Sequence, residues 1–294
     1  MNTRVSLFAE PHRGATYDDQ LRMVRLAERC GFEGWLRADH YQTTDVGSRG
    51  EPGPTDAWVT LAGLARETSR IRLGTLVSCA TFRPAGALAM LAAQVDRMSG
   101  GRIDLGIGAG WYEREHLAYG IPFPPRGARF DMLEHQLATI TRTWPASTRP
   151  PIIVGGRGPR RTPELAARYA DEFNMPFATV KQTAHAFARV EGARGELPPL
   201  VLSAGVVVAI GRDAAQIRRR SAPLHVPSAL PPEDPVIGPP GVLVQRIGEL
   251  AEVGATRVYL RLSDLTDLDH LELIATEVLP QLFSQGSPRK DGPS

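Results

Sequence analysis

The feature that most constrains this chain is an alternation of strand-like and helix-like segments that runs from one end to the other. Strand-like runs fall at residues 5–9, 34–38 and 71–78, within 100–113, and at 151–155, 172–177, 200–210 and 257–262. Helix-like segments separate them at 17–30, 56–68, 85–98, about 128–144, 163–170, 180–192, 213–220 with 242–253, and 268–283. Strands that alternate with helices in this way form parallel sheets with right-handed crossovers. Eight such units predict an α/β protein, a (β/α)8 TIM barrel, as a single domain over 1–283 with a flexible polar tail at 284–294. An open doubly wound sheet is the other arrangement of the same units, because strand count does not prove closure.

Composition narrows the function classes. The chain has 294 residues and a formal net charge of +2, too small a bias to point to a nucleic-acid or membrane partner. Cys30 and Cys79 are its two cysteines, without the spacing of a zinc site or a disulfide framework. No apolar run is long enough to span a bilayer. The chain enters its first strand directly, with no signal-peptide layout. These features predict a soluble cytoplasmic protein. Three stretches depart from short connections. Residues 41–54 read as an ordered or mobile wall. Residues 221–241 carry seven prolines, which excludes helix and central strand and suggests a lid or loop. The tail at 284–294 reads as frayed.

In a barrel of this kind the chemistry sits at the carboxyl ends of the strands. Asp39 and His40 follow the second strand, and Cys79 through Arg83 follow the third. The fourth strand ends in Gly106, Gly108, Ala109 and Gly110, then Trp111. Its glycines remove side chains at alternate positions, leaving room for a flat ring or an anion against the backbone. Gly155-Gly156-Arg157-Gly158-Pro159-Arg160-Arg161 leads from the fifth strand into a helix, and Asn174 ends the sixth. Free amides at a helix N-terminus with Arg157, Arg160 and Arg161 beside them predict a phosphate or polyanion site, the plain alternative being a solvated basic turn. His40 is the general acid/base candidate, titrating near 6.5 if unperturbed. The plain alternative is a structural cap. Glu113, Glu115 and His116 form an E-x-E-H string, but without a second ligand pair it reads as first-turn acids, and no metal is predicted. Arg218-Arg219-Arg220 reads as a solvated helix end. No Ser-His-Asp order and no strand-end lysine is present.

The runs Ile71-Arg72-Leu73-Gly74-Thr75-Leu76-Val77, Gly100-Gly101-Arg102 and Leu105 through Glu113 closely resemble the luciferase-like monooxygenase superfamily. Tyr119-Gly120-Ile121-Pro122-Phe123-Pro124, Arg129-Phe130, Pro151 through Gly156 and Ala166 through Asp171 extend the match, which is good over about 17–174 and thin afterwards. Within the superfamily the chain looks most like the deazaflavin (coenzyme F420)-dependent oxidoreductases. The resemblance implies a flavin-like ring held at the strand ends, and a non-prolyl cis peptide at Leu76-Val77 supporting it. It implies that the Gly155-Gly156 loop takes the cofactor phosphate and that His40 is the acid/base histidine. It also implies a homodimer. Trp111 stands where the sugar-phosphate dehydrogenases of this family carry a glutamate, which argues against that substrate. Only residues 145–150 bridge to the fifth strand, where many relatives insert a long segment.

The combined expectation is hydride transfer between reduced F420 and an unsaturated organic substrate, a small molecule or natural product. His40 would be the proton donor, and Trp111 would shape the pocket. Asp39, Leu76, Val77, Cys79, Gly108, Ala109, Gly110, Gly155, Gly156, Arg157, Gly158, Arg160, Arg161 and Asn174 would hold the cofactor. An FMN-dependent two-component monooxygenase is the alternative, and a non-catalytic flavin-binding barrel a third.

Overall fold

Eight parallel strands close on themselves in the computed structural model, which describes residues 3–44, 56–225 and 234–283. In chain order the first seven are β1 (Arg4–Ala9), β2 (Gly34–Arg37), β3 (Arg72–Cys79), β4 (Ile103–Gly108), β5 (Ile152–Gly155), β6 (Glu172–Met175) and β7 (Val201–Ile210). A three-residue strand β8 (Val236–Gly238) precedes β9 (Arg257–Leu262). Consecutive strands pair from β1 to β7, β7 pairs with β9 and β9 returns to β1. That ring is a (β/α)8 barrel, and it excludes the open sheet. Seven of the eight expected strands appear within a residue or two of their boundaries, and β4 occupies the middle of the stretch 100–113, because each is an apolar run bounded by turn residues.

The helices that separate the strands start where the sequence supplies caps. In α1 (Tyr17–Arg29) the Thr16 hydroxyl accepts from the Asp19 amide at 3.2 Å, and the Asp19 carboxylate accepts from the Thr16 amide at 2.9 Å. Asp56 caps α2 (Ala57–Glu67), and the Thr179/Gln182 pair caps α7 (Val180–Arg194). The remaining outer helices are α3 (Ala85–Ser99), α5 (Arg126–Thr143), α6 (Arg161–Tyr169), α8 (Ala214–Ser221) and α9 (Pro240–Glu252). A short α4 (Glu113–Ala118) lies directly after the Trp111 turn. The last helical stretch is divided at Val278 into α10 (Leu268–Glu277) and α11 (Leu279–Phe283), with Pro280 unable to continue the ladder. Among the described residues no helix is long and apolar enough to cross a membrane.

The amino ends of the strands are closed by a buried ionic network. Arg257 donates to Glu172 at 2.5 Å and to Glu33 at 2.9 Å, while Tyr259 donates to Glu172 at 2.8 Å. Arg72 pairs with Asp104 beside them. Among the described residues these acids and arginines are paired with one another, and in a barrel of this kind function belongs to the opposite end.

Two expectations need correction. The proline-rich stretch 221–241 is not wholly irregular: residues 222–225 make a 3-10 turn, β8 pairs with the end of β7, and Pro240 opens α9. Proline is tolerated in a first helical turn, and β8 makes its described pairing on β7 alone. Residues 226–233 lie outside the described residues, as do 45–55 and the tail at 284–294. The second correction is Arg220. It is buried, donating to Asp267 at 2.8 and 3.0 Å, to Asp269 at 2.7 Å and to the Ile210 carbonyl at 2.8 Å. It ties α8 to the start of α10 instead of facing solvent.

The glycines of β4 also have a different first task. A Cβ on Gly106 would lie 2.0 Å from the Thr75 carbonyl oxygen, and one on Gly74 would lie 2.2 Å from that of Asp104. The backbones of β3 and β4 approach too closely for side chains there. Gly106 is therefore a packing requirement and makes no room for a ligand. Gly106→Ala is predicted to destabilise the fold by about 2 kcal/mol or more, as overpacking does. Urea denaturation checks this, and an unchanged midpoint would overturn it.

Candidate active site at the carboxyl ends of the strands

A cavity of about 510 Å³ opens at the carboxyl ends of the strands. The β3–β4 junction builds its floor. The strand register shifts between Thr75 and Ser78, and the Leu76-Val77 peptide is cis, as the resemblance implied. Val77 sits under Gly108 and Gly155, where a Cβ would come within 2.7 and 3.3 Å of its methyls. Gly110 has φ of +78°, and a Cβ there would meet the Cys79 sulfur at 2.3 Å. Phe8, Leu133, Phe130 and Phe177 supply apolar walls, and Arg126, Arg129 and Arg157 bring cationic groups to the lining.

The structure brings most of the anticipated residues together. Asp39, His40, Leu76, Val77, Cys79, Gly108, Ala109, Gly110, Trp111, Gly155, Gly156, Arg157, Gly158 and Asn174 all line the cavity. Arg160 and Arg161 do not. Arg161 pairs with Asp131 at 2.7 Å and Glu134 at 3.3 Å on α5, and Arg160 is exposed at the start of α6. Carboxylates one helix away thus draw Arg161 outward. Arg126 and Arg129, one and four residues into the α5 region, line the cavity in their place. Asp39 is also committed: Arg83 donates to its two oxygens at 2.5 and 3.3 Å and to Asp56 at 2.5 Å. Burial lifts the Asp39 carboxyl above its ordinary range, against the pull of the Arg83 cation.

His40 is the group with open chemistry. Its Nδ1 lies 2.9 Å from Glu115 Oε1, and its side chain is 18% exposed, toward the cavity it lines. Burial pulls the imidazole down, but the hydrogen bond and charge of Glu115, with Glu10 and Asp39 behind it, outweigh that and leave the pKa raised. Glu115 Oε2 accepts from the Tyr41 amide at 3.0 Å. The E-x-E-H string therefore splits between two hydrogen-bonding tasks. His116 Nδ1 donates to the Tyr112 carbonyl at 2.8 Å, so its Nε2 accepts from the Thr81 hydroxyl at 2.6 Å. With that proton used, the Cys79 thiol donates to Thr81 at 2.7 Å. Burial pushes the Cys79 thiol up to about 11, so it lines the cavity as a neutral group.

Glu10 and His12 complete the polar corner. Burial raises Glu10, but Arg261, His12 and Arg13 outweigh it and hold the carboxyl at about 2. His12 is buried, and among the described residues neither ring nitrogen has a hydrogen-bond partner; its ring centroid lies 5.0 Å from that of His40. Burial lowers it to about 3.

The sequence profile of the luciferase-like monooxygenase family matches residues 1–238. The chain belongs to that family. An uncharacterised protein of Mycobacterium tuberculosis is 28% identical over 183 residues, which are 50% of this chain and 64% of the relative. The chain thus spans less than two thirds of the length of that curated relative. Among solved structures, an F420-dependent secondary alcohol dehydrogenase in complex with an F420-acetone adduct superposes with a TM-score of 0.77 at 18% identity, covering 95% of this chain and 98% of that one. The oxygenating constituent of 3,6-diketocamphane monooxygenase from Pseudomonas putida, in complex with FMN, superposes with a TM-score of 0.72 at 17% identity, covering 96% and 99%. At these identities the likeness establishes the fold shared by deazaflavin and flavin enzymes.

Sequence reasoning missed Glu10, Glu115, Arg126, Arg129 and Phe177 as cavity residues. Glu115 carried a signal, since it stands four residues after Trp111. Phe177 carried one as well, since it closes the expected sixth strand at 172–177; its ring lies 5.6 Å from that of Phe8. The neutral, buried His12 has a consequence for stability. Between pH 6.5 and about 3 the unfolded chain binds a proton at this position that the folded chain refuses, so stability falls as pH drops through that window. His12→Phe is predicted to flatten the fall. Urea denaturation at a series of pH values checks it, and an unaltered slope would count against the assignment.

Proposed function

We propose that this chain is an oxidoreductase that binds reduced F420 in the cavity and works with it on an unsaturated organic substrate. The observation that carries the reading is His40: an imidazole with a raised pKa, anchored on one nitrogen and facing a cavity of apolar walls and arginine-bearing rim. The residues present fit a planar ring with an anionic tail. A Cβ on Gly155 would press on the Val77 methyl at 3.3 Å, so glycine there lets Val77 form the floor on which such a ring would lie. The α6 N-terminus has no side-chain cap, and Arg126, Arg129 and Arg157 line the same cavity as the Gly155–Gly158 turn that precedes it.

When bound, reduced F420 supplies a hydride to a C=C, C=N or C=O bond. His40 supplies the accompanying proton to the atom that gains negative charge, leaving a neutral imidazole and a saturated product. Glu115 and Glu10 raise the imidazole's pKa above its ordinary value, favouring the protonated form that serves as donor. Phe8, Trp111 and Phe177 exclude water from the substrate side. Arg126, Arg129 and Arg157 bind the anionic tail, and three cations suit the polyglutamylated F420 tail better than a single FMN phosphate. The FMN-dependent monooxygenase is the competing reading, supported by the flavin enzymes that share this fold.

Fluorescence titration with F420 and FMN, each oxidised and reduced, decides between them. The expected result is tighter F420 binding, with F420-dependent turnover that falls about a hundredfold or more in His40→Ala while cofactor affinity stays nearly unchanged. Tight FMN binding with oxygen uptake in the presence of substrate would overturn the F420 reading. Turnover in His40→Ala equal to wild type across the pH range would remove His40 from the reaction.

A further inference from the structure

We propose that Glu115 is the positioning residue for His40, holding Nδ1–H on its carboxylate so that Nε2 is the atom that gives or takes a proton in the cavity. The inference rests on the reading of His40 as the proton-transfer group. It assigns a task to the E-x-E-H string, whose first-turn acids the sequence alone explained as helix-dipole partners.

The argument begins with donors and acceptors. A carboxylate accepts only, so a 2.9 Å contact between Glu115 Oε1 and His40 Nδ1 puts a hydrogen on Nδ1. Glu115 is the one hydrogen-bond partner of the His40 ring among the described residues. The neutral ring is therefore the Nδ1–H tautomer, with its lone pair on Nε2, and the charged ring carries its transferable proton there. Other groups that face the ring do not compete. His12 meets it edge-on at 5.0 Å without a hydrogen bond, and Trp111 and Tyr112 lie at 5.6 and 6.2 Å between centroids. The Tyr112 hydroxyl donates to the Thr43 carbonyl at 3.2 Å. Glu10 and Asp39 act on His40 through charge, and their own carboxylates are held by Arg13 and Arg261, and by Arg83.

Glu115 cannot swing to another partner. Its second oxygen accepts from the Tyr41 amide at 3.0 Å, so one carboxylate grips the ring and the peptide that follows it. Glu115 is 1% exposed, and leaving either oxygen unpaired there would be costly. The helix that carries it is fixed by the next residue. His116 is fully buried, bonded to Tyr112 and Thr81, with the rings of Phe82 and Phe123 against it at 4.9 and 4.6 Å. The turn that delivers Trp111 thus also delivers an orienting carboxylate, and His116 locks both to the end of β3.

The test is nitrogen-15 NMR of the histidine rings in the full chain, with His40 assigned by its loss in His40→Asn among the seven histidines. Wild type is expected to show Nδ1 protonated in the neutral form. In Glu115→Gln the amide can donate to Nδ1, so the tautomer should shift toward Nε2–H and the His40 titration should move to lower pH. Glu115→Asp, which keeps the charge, should restore the titration in part. In the cofactor-loaded enzyme, Glu115→Gln should lower kcat about tenfold or more with KM little changed. An Nε2–H or evenly mixed tautomer in wild type would overturn the proposal without any Glu115 variant having to fold. So would a Glu115→Gln titration and tautomer identical to wild type, the result expected if Glu115 only braces the loop at Tyr41. The NMR readout needs no cofactor. A chain that passes it yet turns over with neither F420 nor FMN sinks the hydride reading alone, and one that turns over but fails it sinks only this inference.

Discussion

The close approach of β3 and β4 is the constraint on which the rest of the site depends. With glycine at positions 74 and 106 the two backbones come near enough that a methyl group would clash with a facing carbonyl. The register shift that follows between Thr75 and Ser78 puts Leu76 and Val77 into the mouth of the barrel as side chains of a bulge. The same shift leaves Cys79 facing Gly110 and paired with Thr81, which in turn holds His116. A local packing condition inside the sheet thereby places the floor of the cavity, its rim and the anchor of α4 in one step. Closure of the ring then fixes what lies opposite, since β1 and β9 bring Glu10 and Arg261 to the same mouth.

The two ends of the barrel handle buried charge differently. At the amino end the buried carboxylates are met by arginines from other strands, as in Glu172 with Arg257 and Asp104 with Arg72. Such an arrangement satisfies its own charges and has nothing left with which to bind a ligand. At the carboxyl end Asp39 and Glu10 are neutralised by Arg83, Arg13 and Arg261, but Glu115 is spent on a histidine, which can release its proton where arginine cannot. That substitution of partner separates a structural ion pair from a reactive one.

Much of this was legible in the chain and the remainder was not, for physical reasons. Strand existence followed from apolar runs bounded by turns, because a strand in a parallel barrel is buried on both faces and reads as such. The residues at strand ends could be read off for the same reason, and fourteen positions from Asp39 to Asn174 meet in one cavity. What failed depended on partners distant in sequence. Arg161 and Arg220 look alike as members of basic runs, yet Asp131 and Glu134 draw one outward while Asp267 and Asp269 bury the other. Glycines read as space for a ligand were required first by the backbone of a neighbouring strand. Glu115 was masked because an acid in a first helical turn already has a local explanation.

A local explanation that suffices does not exclude a second, tertiary one. Glu113 and Glu115 both satisfy the same expectation at the start of α4, and only the second is buried. Helical geometry turns successive side chains through about 100°, so residues two apart point to nearly opposite sides. Once His116 turns its ring to Thr81, Glu115 beside it faces the loop of His40 and Tyr41, and Glu113 faces away and is exposed. The assignment of a reactive nitrogen on His40 therefore traces back to the phase of a six-residue helix. That phase is set by the one histidine in it whose own ring has no open chemistry.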